Sequence, residues 1–220
     1  MSARITVLIS GEGRNLQALI DACADGRIEG RIVAVISNRA EAGGLARARA
    51  AGIPTVVLSH RDYASREDYD VALVSRLAGH RPDIIVLAGF MRILTPVFIG
   101  AFAGRMLNIH PSLLPRHPGL RTHEAVLAQG DARHGATVHF VTDKLDGGPL
   151  VIQGEFMVQP HDTPQSLAAR VMSDIELKIY PQAVAWMARG ELALTNGGVE
   201  LQGRPLAAPV GLEAVEESFR

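Results

Sequence analysis

The sequence contains a single cysteine, Cys23, so no internal disulfide can form, and such sparing use fits a reducing compartment. It also lacks an apolar run of membrane length. Its longest stretch free of Asp, Glu, Lys, Arg and His is the 12 residues from Ile93 to Gly104, against the roughly 18 that a span requires. An excess of one charge is missing too: 22 Lys and Arg against 23 Asp and Glu leave a net charge of -1, which argues against nucleic acid as a partner. Met1-Ser2-Ala3-Arg4 runs straight into an apolar segment with no cleavable targeting pattern, so a cytoplasmic protein is expected. No repeat, low-complexity tract or linker interrupts the 220 residues, 47% of them hydrophobic, and one domain over 1–220 is expected.

What is present is an alternation of strand and helix patterns. Ile5 to Ile9 is a short β-branched run of the kind covered on both faces of a sheet. Leu16, Leu19, Ile20 and Cys23 follow at helical spacing, with Gly26 as the stop. Strands are then expected at Ile32–Ile36, Thr55–Leu58, Ile84–Leu87 and Met106–Ile109, with helices at Gly43–Ala51 and Arg66–Leu77 between them. That order predicts an α/β fold, a mostly parallel twisted sheet with helices on both faces. Pro111, Pro115 and Pro118 then exclude a helix or central strand and require a loop. Ala136–Val141 and Leu150–Val158 read as antiparallel additions joined by the turn Asp143 to Pro149. One long helix over 165–189 and a hairpin over Leu192–Leu201, turning at Thr195-Asn196-Gly197-Gly198, complete the chain.

Ser10-Gly11-Glu12-Gly13-Arg14-Asn15 lies between the first strand and the first helix, where glycines let backbone N–H groups approach a phosphate. The third glycine of a dinucleotide fingerprint is absent, because position 16 is Leu16. The loop therefore suits a phosphorylated ligand, or simply makes a tight turn with Asn15 as a helix cap.

Asn108-Ile109-His110-Pro111 ends an apolar strand at the edge where parallel sheets bind ligands. Alternation places Asn108 and His110 on one face. An amine attacking a formyl carbonyl generates an oxyanion and must shed a proton, so a neutral donor beside a base fits that chemistry. A carboxylate near the imidazole would favour its protonated form, and Asp146, braced by Gly147, Gly148 and Pro149, is the candidate. The further histidines His117, His123, His134 and His139 match no ligand spacing, so no metal is expected. His139, on a strand with apolar neighbours, reads as a core residue or as a supporting partner of the site. Ser10 and Ser112 lack a nucleophile-elbow motif.

Four ordered motifs closely resemble the phosphoribosylglycinamide formyltransferase family: Leu8-Ile9-Ser10-Gly11-x-Gly13-x-Asn15-Leu16-Gln17, Leu87 to Leu94, Asn108 to Pro115, and Asp146 to Pro149. The resemblance runs from about residue 4 to about residue 190. It implies the Rossmann-like formyltransferase fold and transfer of a formyl group from 10-formyltetrahydrofolate to glycinamide ribonucleotide in purine synthesis, without metal. It implies Asn108, His110 and Asp146 as catalytic residues, and Gly13, Arg14, Asn15 and Glu176 as contacts to the ribonucleotide. Arg66, Met91, Arg92, Ile93, Leu94, Asn108 and Val141 are implied at the folate, covered by the loop from Val141 to Asp146. Partners would be these small molecules, with monomer and homodimer both open.

The chain departs from the family pattern in three places. Arg14 stands where a small residue is expected, Leu177 replaces a histidine, and the interval from Arg170 to Glu176 is one residue longer, so Asp174 competes with Glu176. Two relatives share the triad: formyltetrahydrofolate hydrolase, with an added amino-terminal domain, and methionyl-tRNA formyltransferase, with an added carboxyl-terminal one and a basic surface. A chain whose sheet starts at residue 4 and whose charge is balanced fits the ribonucleotide enzyme better, with the hydrolase as the alternative. A non-catalytic nucleotide-binding module would explain only the glycine loop.

Overall fold

The structure, a computed structural model, describes residues 2–220. A seven-stranded sheet forms its centre, in the order β3-β2-β1-β4-β5-β6-β7. Its strands are β1 (Ala3–Ile9), β2 (Gly30–Ser37), β3 (Thr55–Val57), β4 (Ile84–Leu87), β5 (Met106–His110), β6 (Arg133–Phe140) and β7 (Leu150–Met157). The first five run parallel, and β6 and β7 are antiparallel to their neighbours.

Alternation along the strands builds two cores. Ile5, Val7 and Ile9 of β1 face one way, toward Leu16 and Leu19 of helix α1 (Arg14–Ala24), Leu45 of α2 (Gly43–Ala50), and Ile179 and Trp186 of α7 (Leu177–Ala188). Leu8 faces the other way, with Tyr69, Leu73 and Leu77 of α3 (Arg66–His80) and Phe98 of α4 (Pro96–Ala101). Each such fully buried Leu or Ile contributes about 1.5–3 kcal/mol by leaving water. Helices thus cover both faces, as a parallel sheet requires.

The chain builds β1, β2 and β3 outward on one side, then returns to place β4 and β5 on the other. The direction reverses between β1 and β4, which leaves a crevice at their carboxyl ends, the position where open α/β sheets bind ligands. Ser10 spans that crevice. Its N–H donates to the Gly89 carbonyl at 3.1 Å, its hydroxyl donates to Asn38 Oδ1 at 2.6 Å, and the same oxygen accepts from Met91 N–H at 2.8 Å.

Two helices escape the periodicity of the sequence: α4, opened by Pro96, and α5 (Thr122–Gln129). Both are short. The expected long helix over 165–189 divides into α6 (Pro164–Arg170), a wide π-type turn over Val171–Glu176, and α7. Wider i to i+5 bonding accommodates one more residue per turn, so the interval from Arg170 to Glu176, expected to be one residue longer than the family pattern, passes through this turn without breaking the helix. The closing hairpin forms from β8 (Leu192–Thr195) and β9 (Gly198–Leu201), joined by a two-residue strand β10 (Arg204–Pro205) in a separate sheet. No helix among the described residues is long and apolar enough to cross a membrane.

Candidate active site

The end of β5 presents Asn108 and His110 on the same face, and β6 sets His139 directly opposite Asn108. His139 Nδ1 lies 2.9 Å from the Phe140 carbonyl, which can only accept, so Nδ1 carries the hydrogen and Nε2 is bare. Asn108 Nδ2 then donates to that Nε2 at 3.1 Å. One amide hydrogen of Asn108 is used, its orientation is set, and the second hydrogen remains for another acceptor. Burial holds the His139 imidazole below its ordinary pKa and keeps it the neutral acceptor this arrangement needs. Both readings of His139 therefore apply: it is a buried core residue, and it orients Asn108.

His110 is fixed by the same logic. Its Nε2 lies 2.8 Å from the His117 carbonyl and must donate there, which leaves Nδ1 as the nitrogen free to gain or lose a proton. Nδ1 is 3.4 Å from Asp146 Oδ2. That oxygen also accepts the Gly119 N–H at 2.8 Å, while Oδ1 lies 3.8 Å from His139 Nε2. The turn that carries Asp146 can approach β6 because residue 148 is glycine; a Cβ there would sit 1.8 Å from the Phe140 carbonyl oxygen. Asp146 itself takes a left-handed backbone at φ 48. The Asp146 carboxylate is thereby held facing Nδ1 of the nearly buried His110 ring.

A cleft of about 100 Å³ opens beside this cluster, lined by Leu87, Phe90, Arg92, Ile93, Leu94, Asn108, His139 and the segment from Val141 to Asp146. Arg92 stacks over the Tyr69 ring at 5.2 Å, and its Nε is buried without a partner. Asp70 accepts the Thr95 N–H at 2.6 Å and anchors the end of the Arg92 segment; burial pushes its carboxyl above the usual range. Of the residues expected at a folate, Arg92, Ile93, Leu94, Asn108 and Val141 line this cleft. Met91 is 55% exposed and Arg66 is exposed at the start of α3, and neither lines it.

The glycine loop lies across the crevice. Gly13 adopts φ 75 immediately before α1, and a Cβ there would meet Gly44 Cα at 2.6 Å. The first-turn N–H groups have no acceptors within the helix and point toward the loop. Asn15 is buried, and its Nδ2 donates to Glu176 Oε2 at 2.6 Å, while its Oδ1 is buried without a partner. Burial raises the Glu176 pKa, only partly offset by the Asn15 hydrogen bond and the charge of Arg14. Asp174 is exposed and bonded to Ser173. The widened turn thus directs Glu176, not Asp174, toward Asn15. Arg14 is exposed, and Leu177 is half-buried at the start of α7.

The comparisons agree with this geometry. A family profile described as formyl transferase matches residues 3–184. The phosphoribosylglycinamide formyltransferase of Escherichia coli (strain K12) is 50% identical over 212 residues, spanning 96% of this chain and 99% of the relative. This chain belongs to the phosphoribosylglycinamide formyltransferase family. A solved family structure from Coxiella burnetii, in complex with CHES, superposes with a TM-score of 0.91 at 48% identity, covering 96% of this chain and 99% of that one. The Homo sapiens trifunctional purine biosynthetic protein adenosine-3 is 44% identical over 196 residues, 89% of this chain but 19% of that much longer protein. The formyltransferase fold is therefore the one the strand order shows, with its antiparallel additions in place.

Three contacts within the candidate site had no sequence signal: the His117 carbonyl on His110, the Gly119 N–H on Asp146, and the Asn15–Glu176 bond. Two of them are backbone groups, which no residue type announces. Ser112 donates its hydroxyl to the Arg116 carbonyl at 2.7 Å and Ser10 is occupied as described, so both act as loop ties and neither as a nucleophile. No group of three or more metal-ligating side chains with suitable geometry occurs among the described residues.

Proposed function

We propose that the chain, acting as one catalytic unit over 1–220, transfers the formyl group of 10-formyltetrahydrofolate to the amine of 5-phosphoribosylglycinamide, in the cytoplasm and within purine biosynthesis. The observation that carries this reading is the convergence of Asn108, His110 and Asp146, with Nδ1 of His110 3.4 Å from the carboxylate and the other ring nitrogen committed elsewhere. The apolar cleft with a few polar groups and an unpartnered Arg92 Nε suits a pterin ring, held by Arg92, Ile93, Leu94, Asn108 and Val141. Met91 and Arg66 would serve parts of the folate beyond the cleft. Gly13, Arg14 and Asn15 would hold the phosphate, and Asn15 Oδ1 and Glu176 would accept hydrogens from the ribonucleotide.

The amine nitrogen attacks the formyl carbon and the carbonyl electrons move to oxygen. The free Asn108 amide hydrogen stabilises that oxyanion. The attacking nitrogen then loses a proton and the departing folate nitrogen gains one as its bond to the formyl carbon breaks. His110 Nδ1 is the group placed to relay it, with Asp146 stabilising the charged ring. The reading is tested by supplying 10-formyltetrahydrofolate to purified protein with and without glycinamide ribonucleotide. Consumption is expected only with the amine present; equal consumption without it would mean that water is the acceptor and the protein is a hydrolase.

A further inference from the structure

His117 lies outside the formyltransferase triad, yet its carbonyl decides which nitrogen of His110 is free. Its backbone is left-handed at φ 51, a conformation that a residue bearing a β-carbon adopts at a cost. Something beyond the loop must hold it there. The His117 imidazole is buried and its Nε2 lies 2.6 Å from Asp131 Oδ2, with side chains 6% and 9% exposed. Asp131 lies just past the Gly130 cap of α5 and is tied back to the helix by its own N–H, which donates to the Val126 carbonyl at 3.1 Å. A cavity of about 300 Å³ borders the pair, so contact with Asp131 rather than close packing sets the ring position. Arg116 also reaches Asp131, and the hydroxyl hydrogen of Ser112, given chiefly to the Arg116 carbonyl, is shared with the His117 carbonyl at 3.1 Å, beside the His110 bond.

We propose that the buried Asp131–His117 pair is a positioning device for His110. By gripping the imidazole from the end of α5, Asp131 holds the His117 carbonyl against His110 Nε2 and so reserves Nδ1 for proton transfer. The charged and titratable groups facing His117 are Asp131 and Arg116, with His134 of β6 and, beyond it, His123 of α5. None of them touches the cleft. The pair therefore acts through His110 and not on substrate, and its catalytic consequence rests on the formyl-transfer reading above.

Two variants and two readouts test this. Asp131→Ala removes the grip, whereas Asp131→Asn keeps an acceptor of the same shape and is expected to recover most of the loss. In Asp131→Ala, a shift of the His117 carbonyl is expected to lower kcat by about ten- to a hundredfold, with KM for both substrates little changed and the pH–rate profile altered. Nitrogen NMR of the His110 ring reads the tautomer without any turnover: hydrogen on Nε2 in the wild type, a mixture in Asp131→Ala. If Asp131→Ala does not fold, His117→Asn serves instead, since asparagine tolerates the left-handed backbone but cannot reach Asp131 in the same way. Wild-type tautomer and pH profile in Asp131→Ala, or in His117→Asn where it stands in, overturn the proposal whatever the thermal stability. An altered tautomer with unaltered turnover would uphold the positioning and count against the role given to His110 in the reaction.

Discussion

His110 and His134 sit on β5 and β6 of one sheet and are almost equally buried, at 5% and 1% exposure, yet their surroundings give them opposite characters. His110 has a carbonyl on one nitrogen and, near the other, the carboxylate of Asp146, a residue that lines the cleft. His134 has His123 at 2.8 Å on Nε2, no partner on Nδ1, and the Phe156 ring edge-on at 6.0 Å. Desolvation, with the nearby His123 and His117 adding to it, pushes the His134 pKa down to about 4. Burial alone silences an imidazole by making its charged form costly. Burial beside a carboxylate, with one nitrogen committed to a carbonyl and the other facing Asp146, is the arrangement on which the proton-transfer role proposed for His110 rests.

The largest expected effect comes from removing His110. His110→Ala should lower kcat by roughly a hundred- to ten-thousandfold, whereas His134→Gln should leave kcat within about threefold, because His134 neither lines the cleft nor hydrogen-bonds His110, His117 or Asp131. Phosphate-ligand affinity should survive in both. Loss of ligand binding by a folded His110→Ala protein would erase the contrast and make His110 structural.

A smaller effect is expected from Asp146→Asn, which keeps an acceptor for the Gly119 N–H but removes the charge. The kcat should fall by about ten- to a hundredfold, equivalent to roughly 1.4–2.8 kcal/mol of lost electrostatic stabilisation. The pH dependence of the rate should move with it. An unchanged profile would remove the distinction between the two histidines.

The smallest effect separates them by stability. A histidine whose folded pKa is depressed contributes stability that is fully present above its unfolded value near 6.5 and is lost as pH falls through about 4. Urea unfolding between pH 7 and pH 4 should therefore show part of the acid destabilisation disappearing in His134→Gln. Equal acid sensitivity in wild type and variant would mean that His134 is not held neutral by burial.

The elements legible in the sequence were those whose burial pattern is local. The β-branched run at β1 announced a doubly covered strand, the apolar run at β4 a further strand, and alternation put Asn108 and His110 on one face before any pairing was known. Helices α4 and α5 were hidden for definite reasons. The first lies inside the apolar stretch Ile93–Gly104, which has no polar face to mark a period, and the second spans eight residues without a side-chain cap. The sequence offered both Asp174 and Glu176 as candidates, and which of them turned inward depended on the widened turn. The cis peptide between Leu114 and Pro115 carried no local signal either.

By itself, the chain order of apolar runs, glycines and prolines determined a parallel α/β sheet with antiparallel additions and named the polar side chains available for chemistry. Only the tertiary structure decided which atoms meet: Asn15 with Glu176 across 161 positions, Asp146 with Gly119, and the His117 carbonyl with one chosen nitrogen of His110. The physical reason is range. Hydrophobic periodicity is written in neighbouring residues, whereas a hydrogen bond accurate to a few tenths of an ångström depends on sheet register and loop closure contributed by distant parts of the chain.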